Sequence, residues 1–254
     1  MAAGILPNDW TIANVTPIHK KNDKHSPGNY RPISLTSLVV KIAERIIHRK
    51  MSVFLEACGK LNPNQHGFRQ KHSCQTQLLE TVHQWANTIN AGQSTHAVFI
   101  DFSKAFDTVP HERLLLKLDH VGIRGPLLRW IRGFLTNRKQ RVLINGSCSD
   151  WKRVPSGVPQ GSILGPLLFL VYIDDISTEL DSPCRLFADD CVIFRQVTSA
   201  EDCSLLQTDL SAFIKWTETW QLRVNLSKCK ALRITNKRKK ILLPTPSLRL
   251  TLTG

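Results

Sequence analysis

The chain has 254 residues, 42% of them hydrophobic, which is enough to bury a substantial core and excludes a mainly disordered protein. Its longest apolar run, residues 163–173, is about half of the ~20 residues that a membrane-spanning helix needs, which excludes a transmembrane helix. Its seven cysteines are an odd number with no Cys-x-x-Cys pair, which argues against a disulfide scaffold. The formal net charge of +14 indicates a polyanionic partner, although a solvated basic face would also account for it.

Residues 14–34 are polar and basic around a Pro-Gly-Asn turn, which predicts a basic hairpin or loop. Two helices are predicted next, over residues 38–54 and 74–89, because apolar side chains recur there at helical spacing. The first helix is amphipathic, and its apolar residues fall in two adjacent rows: Leu38, Ile42, Ile46 and Phe54, and Val39, Ala43, Ile47 and Met51.

Helices and hairpins alternate along the rest of the chain. The short apolar run 97–100 predicts a buried strand that ends at Asp101. A tight hairpin is predicted over residues 185–194, with Asp189 and Asp190 at its tip. The remaining predicted elements are helices over 110–118, 126–136, 162–176 and 206–220, a hairpin around Asn145–Gly146, and a basic strand pair or loop over 222–234. This order predicts an α+β fold with an antiparallel central sheet.

Acidic residues lie at the end of the buried strand and at the hairpin tip, where a charged side chain is unfavourable unless it has a function. Carboxylates that converge in a partly buried site repel each other unless a divalent cation binds them, and Mg²⁺ prefers oxygen ligands. Asp101, Asp189 and Asp190 are therefore candidate ligands of two metal ions that promote phosphoryl transfer. Taken singly, each could instead be a cap or a turn residue.

Two other acidic positions compete for that role. Asp174 and Asp175 fall near the end of the helix predicted over residues 162–176, where adjacent side chains point about 100° apart. They are interpreted as helix-terminating residues with surface contacts. Asp107 is interpreted as a cap for the helix that follows Pro110.

Three segments, in chain order, carry a resemblance to a known family: residues 99–107 (FIDFSKAFD), 156–162 (SGVPQGS) and 187–190 (FADD). Together they resemble the palm motifs of reverse transcriptases. The flanking segments most resemble the non-LTR retrotransposon branch, the LINE and jockey-like elements, and they are residues 29–35 (NYRPISL), 65–69 (QHGFR) and 164–168 (LGPLL). The resemblance extends over residues 10–235, and several motifs in order are far more specific than any one alone.

The resemblance implies a right-hand polymerase with an antiparallel palm sheet. The reverse transcriptase domain would cover residues 10–240, with fingers over about 10–95 and palm over about 96–240, and an irregular tail over 241–254 would stand where a thumb is expected. The implied activity is RNA-directed DNA polymerisation, in which dNTPs extend a primer 3′-hydroxyl on an RNA template. Two Mg²⁺ ions, for which Mn²⁺ can substitute, are the implied cofactors.

The implied partners are an RNA template, a DNA primer and dNTPs, without a membrane and with no protein partner indicated. The implied location is intracellular, in the nucleus. Matching the motifs position by position assigns roles to individual residues: metal ligation to Asp101, Asp189 and Asp190 with the Phe102 carbonyl, protonation of pyrophosphate to Lys228, dNTP binding to Lys20, Arg31, Phe106, Gln160 and Gly161, and a template or nucleotide contact to Arg69. In this scheme the bulk of Phe106 excludes a ribose 2′-hydroxyl.

Other interpretations remain open for these residues. Without the surrounding motif, Phe106 would be an ordinary core residue, and the basic residues would be solvated surface charges. A truncated nucleic-acid-binding remnant without catalytic activity is the main alternative function. An RNA-dependent RNA polymerase is a third hypothesis, but such enzymes normally have a polar residue where Phe106 stands.

Overall fold

The computed structural model describes residues 6–236. In chain order, the elements are α1 (Asn8–Thr11), β1 (Ile12–His19), β2 (Tyr30–Leu35), α2 (Leu38–Ala57), α3 (Cys74–Asn90), β3 (Ser94–Ile100), α4 (Ala105–Thr108), α5 (His111–His120), α6 (Gly125–Leu135), β4 (Lys139–Ile144), β5 (Ser147–Cys148), β6 (Lys152–Arg153), α7 (Leu164–Ile173), β7 (Cys184–Phe187), β8 (Asp190–Val197), α8 (Ala200–Thr219) and β9 (Lys230–Ile234). The tail predicted over residues 241–254 lies outside the described residues. No helix within residues 6–236 is long and apolar enough to cross a membrane.

The chain divides into two units, each built from two separate stretches of sequence. The first unit contains the residues up to Leu61 together with Phe106–Ile173. The second contains Asn62–Ala105 together with residues 174–236. Both units combine helices with antiparallel strand pairs, which confirms the α+β class. The division into fingers and palm near residue 95 stays a prediction.

The sheet of the first unit is mixed. β1 and β2 form an antiparallel hairpin around a short 3-10 turn, which confirms the basic hairpin predicted over residues 14–34. β4 pairs in parallel with β1, from Ile12 opposite Lys139 to Val15 opposite Val142, and the sequence did not suggest this pairing. The hairpin predicted around Asn145–Gly146 is confirmed: β5 and β6 both pair with β4. Asn145 and Gly146 both have positive φ, as a tight hairpin turn requires.

α7 is the central helix of the first unit. Nine of its ten residues are buried, as expected for a helix that is apolar on all sides. α2 and α5 pack against it. The helix predicted over residues 162–176 is therefore present but shorter, which places Asp174 and Asp175 after its end.

α2 has nearly the predicted bounds, but only part of its predicted apolar face is buried: Ile47 and Met51 of the second row are buried. Leu38, Ile42 and Ile46, from one predicted apolar row, are 78%, 64% and 60% exposed. The buried residues are Val40, Glu44, Ile47, Met51 and Leu55. α2 is thus amphipathic in a way that its hydrophobic pattern does not reveal, because the buried row includes a carboxylate.

Glu44 explains which row of α2 faces inward. One of its carboxylate oxygens accepts the backbone N–H groups of Ile163 and Leu164 at 2.6 and 3.0 Å, at the start of α7. A helix begins with N–H groups that have no partner inside the helix, and a negative charge there is favourable. The hydrogen-bonding requirement of α7 therefore favours burial of Glu44.

The second unit contains a four-stranded antiparallel sheet in the order β7-β8-β3-β9. α3 packs against β3 and β7, and α8 packs against β8. The predicted strand over residues 97–100 forms the end of β3. The predicted strand pair or loop over residues 222–234 contains one named strand, β9, which lies beside β3. The antiparallel sheet predicted for the middle of the fold is this one.

The hairpin formed by β7 and β8 differs from its prediction by one residue. Phe187 pairs with Asp190, so the two turn residues are Ala188 and Asp189. Asp190 is therefore the first residue of β8, whereas the sequence predicts it at the tip of the hairpin. The reason is that Ala188 adopts a positive φ of 52°, which closes the turn one residue earlier.

Candidate functional site

Strand register brings Asp101 and Asp190 to the same edge of the second unit's sheet. The pairing of β3 with β8 runs as far as Ile100 opposite Cys191. Asp101 follows Ile100 directly, and Asp190 precedes Cys191 on the neighbouring strand. One further step along an antiparallel pair therefore places Asp101 next to Asp190, with Asp189 in the adjoining turn.

The main chain holds Asp101 from its other side. The Asp101 carbonyl accepts the N–H of Asn225 at 2.7 Å, and the Arg223 carbonyl accepts the N–H of Ser103 at 2.8 Å. These two bonds form an antiparallel bridge between Phe102 and Val224. The Phe102 carbonyl takes no part in either bond, so this bridge does not consume it as a possible metal ligand. The Phe102 ring is buried and stacks on Phe213, with ring centroids 6.0 Å apart.

Lys228 is the cationic partner of Asp101. Its Nζ donates to Asp101 Oδ2 at 3.0 Å, and the two side chains are 48% and 34% exposed. The Asn225 carbonyl accepts the N–H of Lys228 at 3.0 Å in a turn just before β9. A half-exposed ion pair of this kind contributes at most about 1 kcal/mol to stability.

The donor chemistry at this edge fits a divalent cation. Carboxylate and carbonyl oxygens are the ligands that Mg²⁺ prefers, and the Asp101 carboxylate already has a cation, the Lys228 ammonium, at 3.0 Å. Within residues 6–236, however, no three His, Cys, Asp or Glu side chains form a preassembled metal-binding group. The structure brings the predicted aspartates to one edge of a sheet. Their role as metal ligands stays a prediction.

In the first unit, Phe106 and Gln160 belong to one network of contacts. The Phe106 ring stacks on Phe169 of α7 with centroids 4.3 Å apart, and its carbonyl accepts the N–H of Val158 at 2.8 Å. Gln160 donates from Nε2 to Asp107 Oδ1 at 2.9 Å. Asp107 is thus a partner of Gln160, and its interpretation as a cap is wrong, because α5 begins after Pro110 without a side-chain cap.

Gly161 occupies a position that only glycine fills without strain. Its φ is +98°, and a Cβ added to it would lie 2.8 Å from the Ser34 carbonyl oxygen. The neighbouring Gln160 carbonyl accepts the N–H of Ser34 at 2.8 Å. Close approach of two backbone segments therefore explains the glycine at position 161.

Lys20 and Arg31 lie on the β1–β2 hairpin and are both exposed. Arg31 is opposite Ile18 in the register, and Lys20 follows β1, where its N–H donates to the Asn29 carbonyl at 2.8 Å. These positions leave both cations on the surface of the first unit. Their assignment to a nucleotide stays a prediction.

The Arg69 side chain makes hydrogen bonds to the backbone that the sequence does not predict. Its Nη1 donates to the backbone carbonyls of Asn62 and Gln65 at 2.7 and 3.3 Å. The guanidinium therefore supports the loop after Asn62, and its role at a template or nucleotide stays a prediction.

Asp174 and Asp175 make structural contacts, in keeping with their interpretation. Asp174 accepts the N–H of Asn62 with its carboxylate and the Asn62 side-chain amide with its carbonyl, the latter at 2.9 Å. Asp175 Oδ1 accepts the indole N–H of Trp216 at 3.0 Å.

A basic surface lies on the strands of the first unit. Lys139 of β4 is directly opposite Arg153 of β6, and Arg141 lies over the ring of Trp151 at 4.6 Å. Like charges directly opposite each other are unfavourable in a strand pair unless an anion binds them. No acidic side chain within residues 6–236 forms an ion pair with Lys139, Arg141 or Arg153.

Sequence reasoning missed Gln65 and Glu44 as buried polar residues. Gln65 is 2% exposed and its side chain contacts Ala188, the residue before Asp189. The signal for Glu44 was its place in the row Val40, Glu44, Ile47, Met51 and Leu55, which has helical spacing and only one acid. Gln65 had no comparable signal beyond its presence in the segment QHGFR.

Comparison with known proteins gives consistent matches over most of the chain. The family described as "Reverse transcriptase (RNA-dependent DNA polymerase)" matches residues 18–242. Two Drosophila melanogaster proteins each match 92% of the chain: "Probable RNA-directed DNA polymerase from transposon X-element" at 32% identity and "RNA-directed DNA polymerase from mobile element jockey" at 31%. The chain spans 26% of the length of each of these relatives.

The fold is also found in solved structures. Apo telomerase from Candida tropicalis, truncated from its C-terminal domain, superposes with a TM-score of 0.66 at 11% sequence identity. The match covers 90% of this chain and 51% of that one. At this identity the match concerns the fold alone.

Proposed function

The chain belongs to the reverse transcriptase (RNA-dependent DNA polymerase) family, in its non-LTR retrotransposon branch, and from this premise we propose that it extends the 3′-hydroxyl of a DNA primer with dNTPs on an RNA template. The observation that supports the proposal is the register of β3 and β8, which ends at Ile100 opposite Cys191, so that Asp101 and Asp190 are the next residues at the same end of the two strands, with Asp189 in the next turn.

The family implies dependence on a divalent metal, and the chemistry of this edge supports it. Asp101, Asp189, Asp190 and the Phe102 carbonyl would hold two Mg²⁺ ions, for which Mn²⁺ can substitute. Such ions make a hydroxyl a better nucleophile at neutral pH and neutralise charge on the transferred phosphate. The adjoining bridge between Phe102 and Val224 supports this role, because it fixes the main chain on both sides of the Phe102 carbonyl.

Lys228 is proposed as the general acid. Its ammonium lies 3.0 Å from the Asp101 carboxylate, so a proton donor stands next to a proposed ligand. When the carboxylate is engaged elsewhere, Lys228 Nζ is available to donate its proton to an oxygen of the departing pyrophosphate. A positioned acid of this kind typically contributes about 10²–10⁴-fold to a rate.

Residues of the first unit are proposed to bind the incoming dNTP. Phe106 is held by the Phe169 ring and by the backbone, so its bulk has a fixed place from which to exclude a 2′-hydroxyl. Gln160 is oriented by Asp107, and Gly161 permits close approach of the backbone. Lys20 and Arg31 would contact the triphosphate as charged donors, and Arg69 would contact the template or the nucleotide.

The RNA template and DNA primer are proposed to contact the basic strands around Lys139 and Arg153. The two opposed cations gain most from a phosphate backbone, which relieves their mutual repulsion. Trp151 beneath Arg141 adds an aromatic surface of the kind that single-stranded nucleic acids stack on.

Primer extension tests the proposal. The full chain is supplied with an RNA template, a DNA primer, dNTPs and Mg²⁺, and Asp189→Asn is compared with the wild type. We expect extension to fall by about 10³-fold or more, because one charged metal ligand is lost, while binding of the template and primer is retained. Glu201→Gln, at an exposed position on α8, is the control and should extend normally.

Two results would contradict the proposal. Extension by Asp189→Asn at the wild-type rate would remove this aspartate from the chemistry. Tight, salt-sensitive binding by the wild type without any extension would instead support a nucleic-acid-binding remnant.

A further inference from the structure

The turn that carries Asp189 has an unusual backbone. Ala188 is the first of its two residues and has a φ of 52°, in the left-handed region where a side chain is disfavoured. Glycine is the usual residue where a two-residue hairpin turn needs positive φ. Because Ala188 is bonded directly to Asp189, its conformation sets the direction in which the backbone enters Asp189.

The side chain of Gln65 binds both polar backbone groups of Ala188. Its Oε1 accepts the N–H of Ala188 at 2.8 Å, and its Nε2 donates to the carbonyl of Ala188 at 3.2 Å. The same Oε1 accepts the N–H of Gly67 at 2.8 Å. A carboxamide offers an acceptor and donors in one plane, which these contacts require. Gln65 is 2% exposed, so water does not readily replace these bonds.

The backbone around Gln65 is itself fixed to the hairpin. The Leu186 carbonyl accepts the N–H of His66 at 2.9 Å, and the Asn64 carbonyl accepts the N–H of Leu186 at 3.0 Å, which makes a parallel bridge between Gln65 and Leu186. A Cβ added to Gly67 would lie 2.2 Å from the Ala188 nitrogen. The segment 64–67 therefore lies directly against the turn, and the carboxamide has little freedom to move.

We propose that Gln65 is a positioning residue for Asp189, which it holds in place by fixing the left-handed backbone of Ala188. This inference rests on the proposed function, because it assigns Asp189 to the chemistry. It accounts for a buried glutamine that satisfies both polar backbone groups of one turn residue, Ala188, while a third bond ties its Oε1 to Gly67. Gln65 itself does not touch the substrate or the metal in this scheme.

The test compares Gln65→Leu with Asp209→Ala in the full chain. Asp209 is a matched control, because it is also buried in the second unit and accepts two backbone N–H groups, those of Asp181 and Ser182, at 3.0 Å each. For Gln65→Leu we expect kcat for primer extension to fall about 100-fold, the effect of displacing a reacting group by about 1 Å, with KM for dNTP and the template affinity little changed. For Asp209→Ala we expect a loss of thermal stability with kcat retained.

A second variant separates positioning from folding. Glycine takes positive φ without strain, so adding Ala188→Gly to Gln65→Leu should recover about tenfold of the lost kcat. If Gln65→Leu does not fold, Gln65→Glu is used instead, because a protonated carboxyl can both accept and donate as the carboxamide does. Its kcat relative to the wild type should then fall as pH rises and the donor is lost.

Hydrogen exchange supplies a readout that does not depend on activity. The Ala188 amide should be protected in the wild type and in Asp209→Ala, and exposed in Gln65→Leu. Unchanged protection in Gln65→Leu, or a kcat within threefold of the wild type, would overturn the inference. If the wild type extends no primer, the proposed function fails, whereas the exchange result still decides whether Gln65 fixes the turn.

Discussion

The two units hold their proposed functional residues by different means. In the second unit, Asp101 and Asp190 are placed by the register of β3 and β8, which is set by main-chain hydrogen bonds. In the first unit, Phe106 and Gln160 are placed by individual side-chain contacts with Phe169 and Asp107. Register is a property of whole strands, so it tolerates single substitutions, whereas a side-chain contact disappears when either partner is replaced.

This difference explains what could be predicted from the sequence. A short apolar run ending in Asp101 and a hairpin carrying two acids were sufficient to predict the two strands, and the expectation that their acids converge came from the chemistry of clustered carboxylates and from the family resemblance. The one-residue error at the hairpin tip arose from Ala188, a residue type that does not signal positive φ. Its conformation depends on Gln65, which is more than a hundred residues away in the sequence.

The bounds of the helices were predicted better than their buried faces. The hydrophobic pattern placed α2 and α3 within a few residues of their true ends. The row that contains Glu44 has helical spacing, but the sequence does not show what the carboxylate binds, because its partners are the N–H groups of Ile163 and Leu164 in a distant part of the chain. In α3, similarly, Thr81 and Thr88 are buried while Leu78 and Val82 are 55% exposed.

Phe106 offers the sharpest test of the first unit. We expect Phe106→Ala to lower the preference for dNTP over rNTP by about 100-fold, because the ring no longer occupies the space of a 2′-hydroxyl. The measurement is kcat/KM for each nucleotide in single-nucleotide extension. Phe106→Tyr keeps the ring and is the control, with selectivity near that of the wild type.

The opposite result would assign Phe106 to the core. Truncating a fully buried Phe to Ala costs about 3–5 kcal/mol, and Phe106→Ala should cost less because Phe106, although stacked on Phe169, is only partly buried. If stability falls and nucleotide selectivity does not, the ring serves packing only. The contacts around Phe106 in the first unit would then stabilise the fold and would not position a nucleotide.

A smaller effect is expected at the basic strands of the first unit. Replacing Lys139 and Arg153 together by Gln should weaken binding of an RNA–DNA duplex about tenfold at low salt, because two phosphate contacts are lost. Fluorescence anisotropy across a salt series measures this, and the slope of log K against log salt should become shallower by about 2.

The control for the basic strands removes the same net charge elsewhere. Lys60 and Lys215 are exposed lysines away from β4 and β6 in the sequence, and replacing both by Gln should leave the salt slope nearly unchanged. Equal slopes for the two double variants would mean that net charge, and not the opposed pair in the strands, attracts the nucleic acid.

The smallest effect concerns Glu44, where burial and hydrogen bonding oppose each other. Burial raises the pKa of the Glu44 carboxyl above its ordinary value, although the N–H groups of Leu164 and Ile163 and the charge of Arg138 act in the opposite direction. A carboxyl whose pKa is higher in the folded state stabilises the fold below its unfolded pKa, near 4.5, and loses that contribution as pH rises through the folded value.

The wild type should therefore lose stability relative to Glu44→Gln as pH rises above about 4.5, by at most about 1.4 kcal/mol per pH unit within the titration range. The measurement is the free energy of unfolding of both proteins in urea at several pH values. A difference that moves in favour of the wild type with rising pH would mean that Arg138, whose own pKa is lowered to about 10 by burial, controls the charge of Glu44. An ion pair between Glu44 and Arg138, in addition to the hydrogen bonds from the N–H groups at the start of α7, would then favour burial of this row of α2.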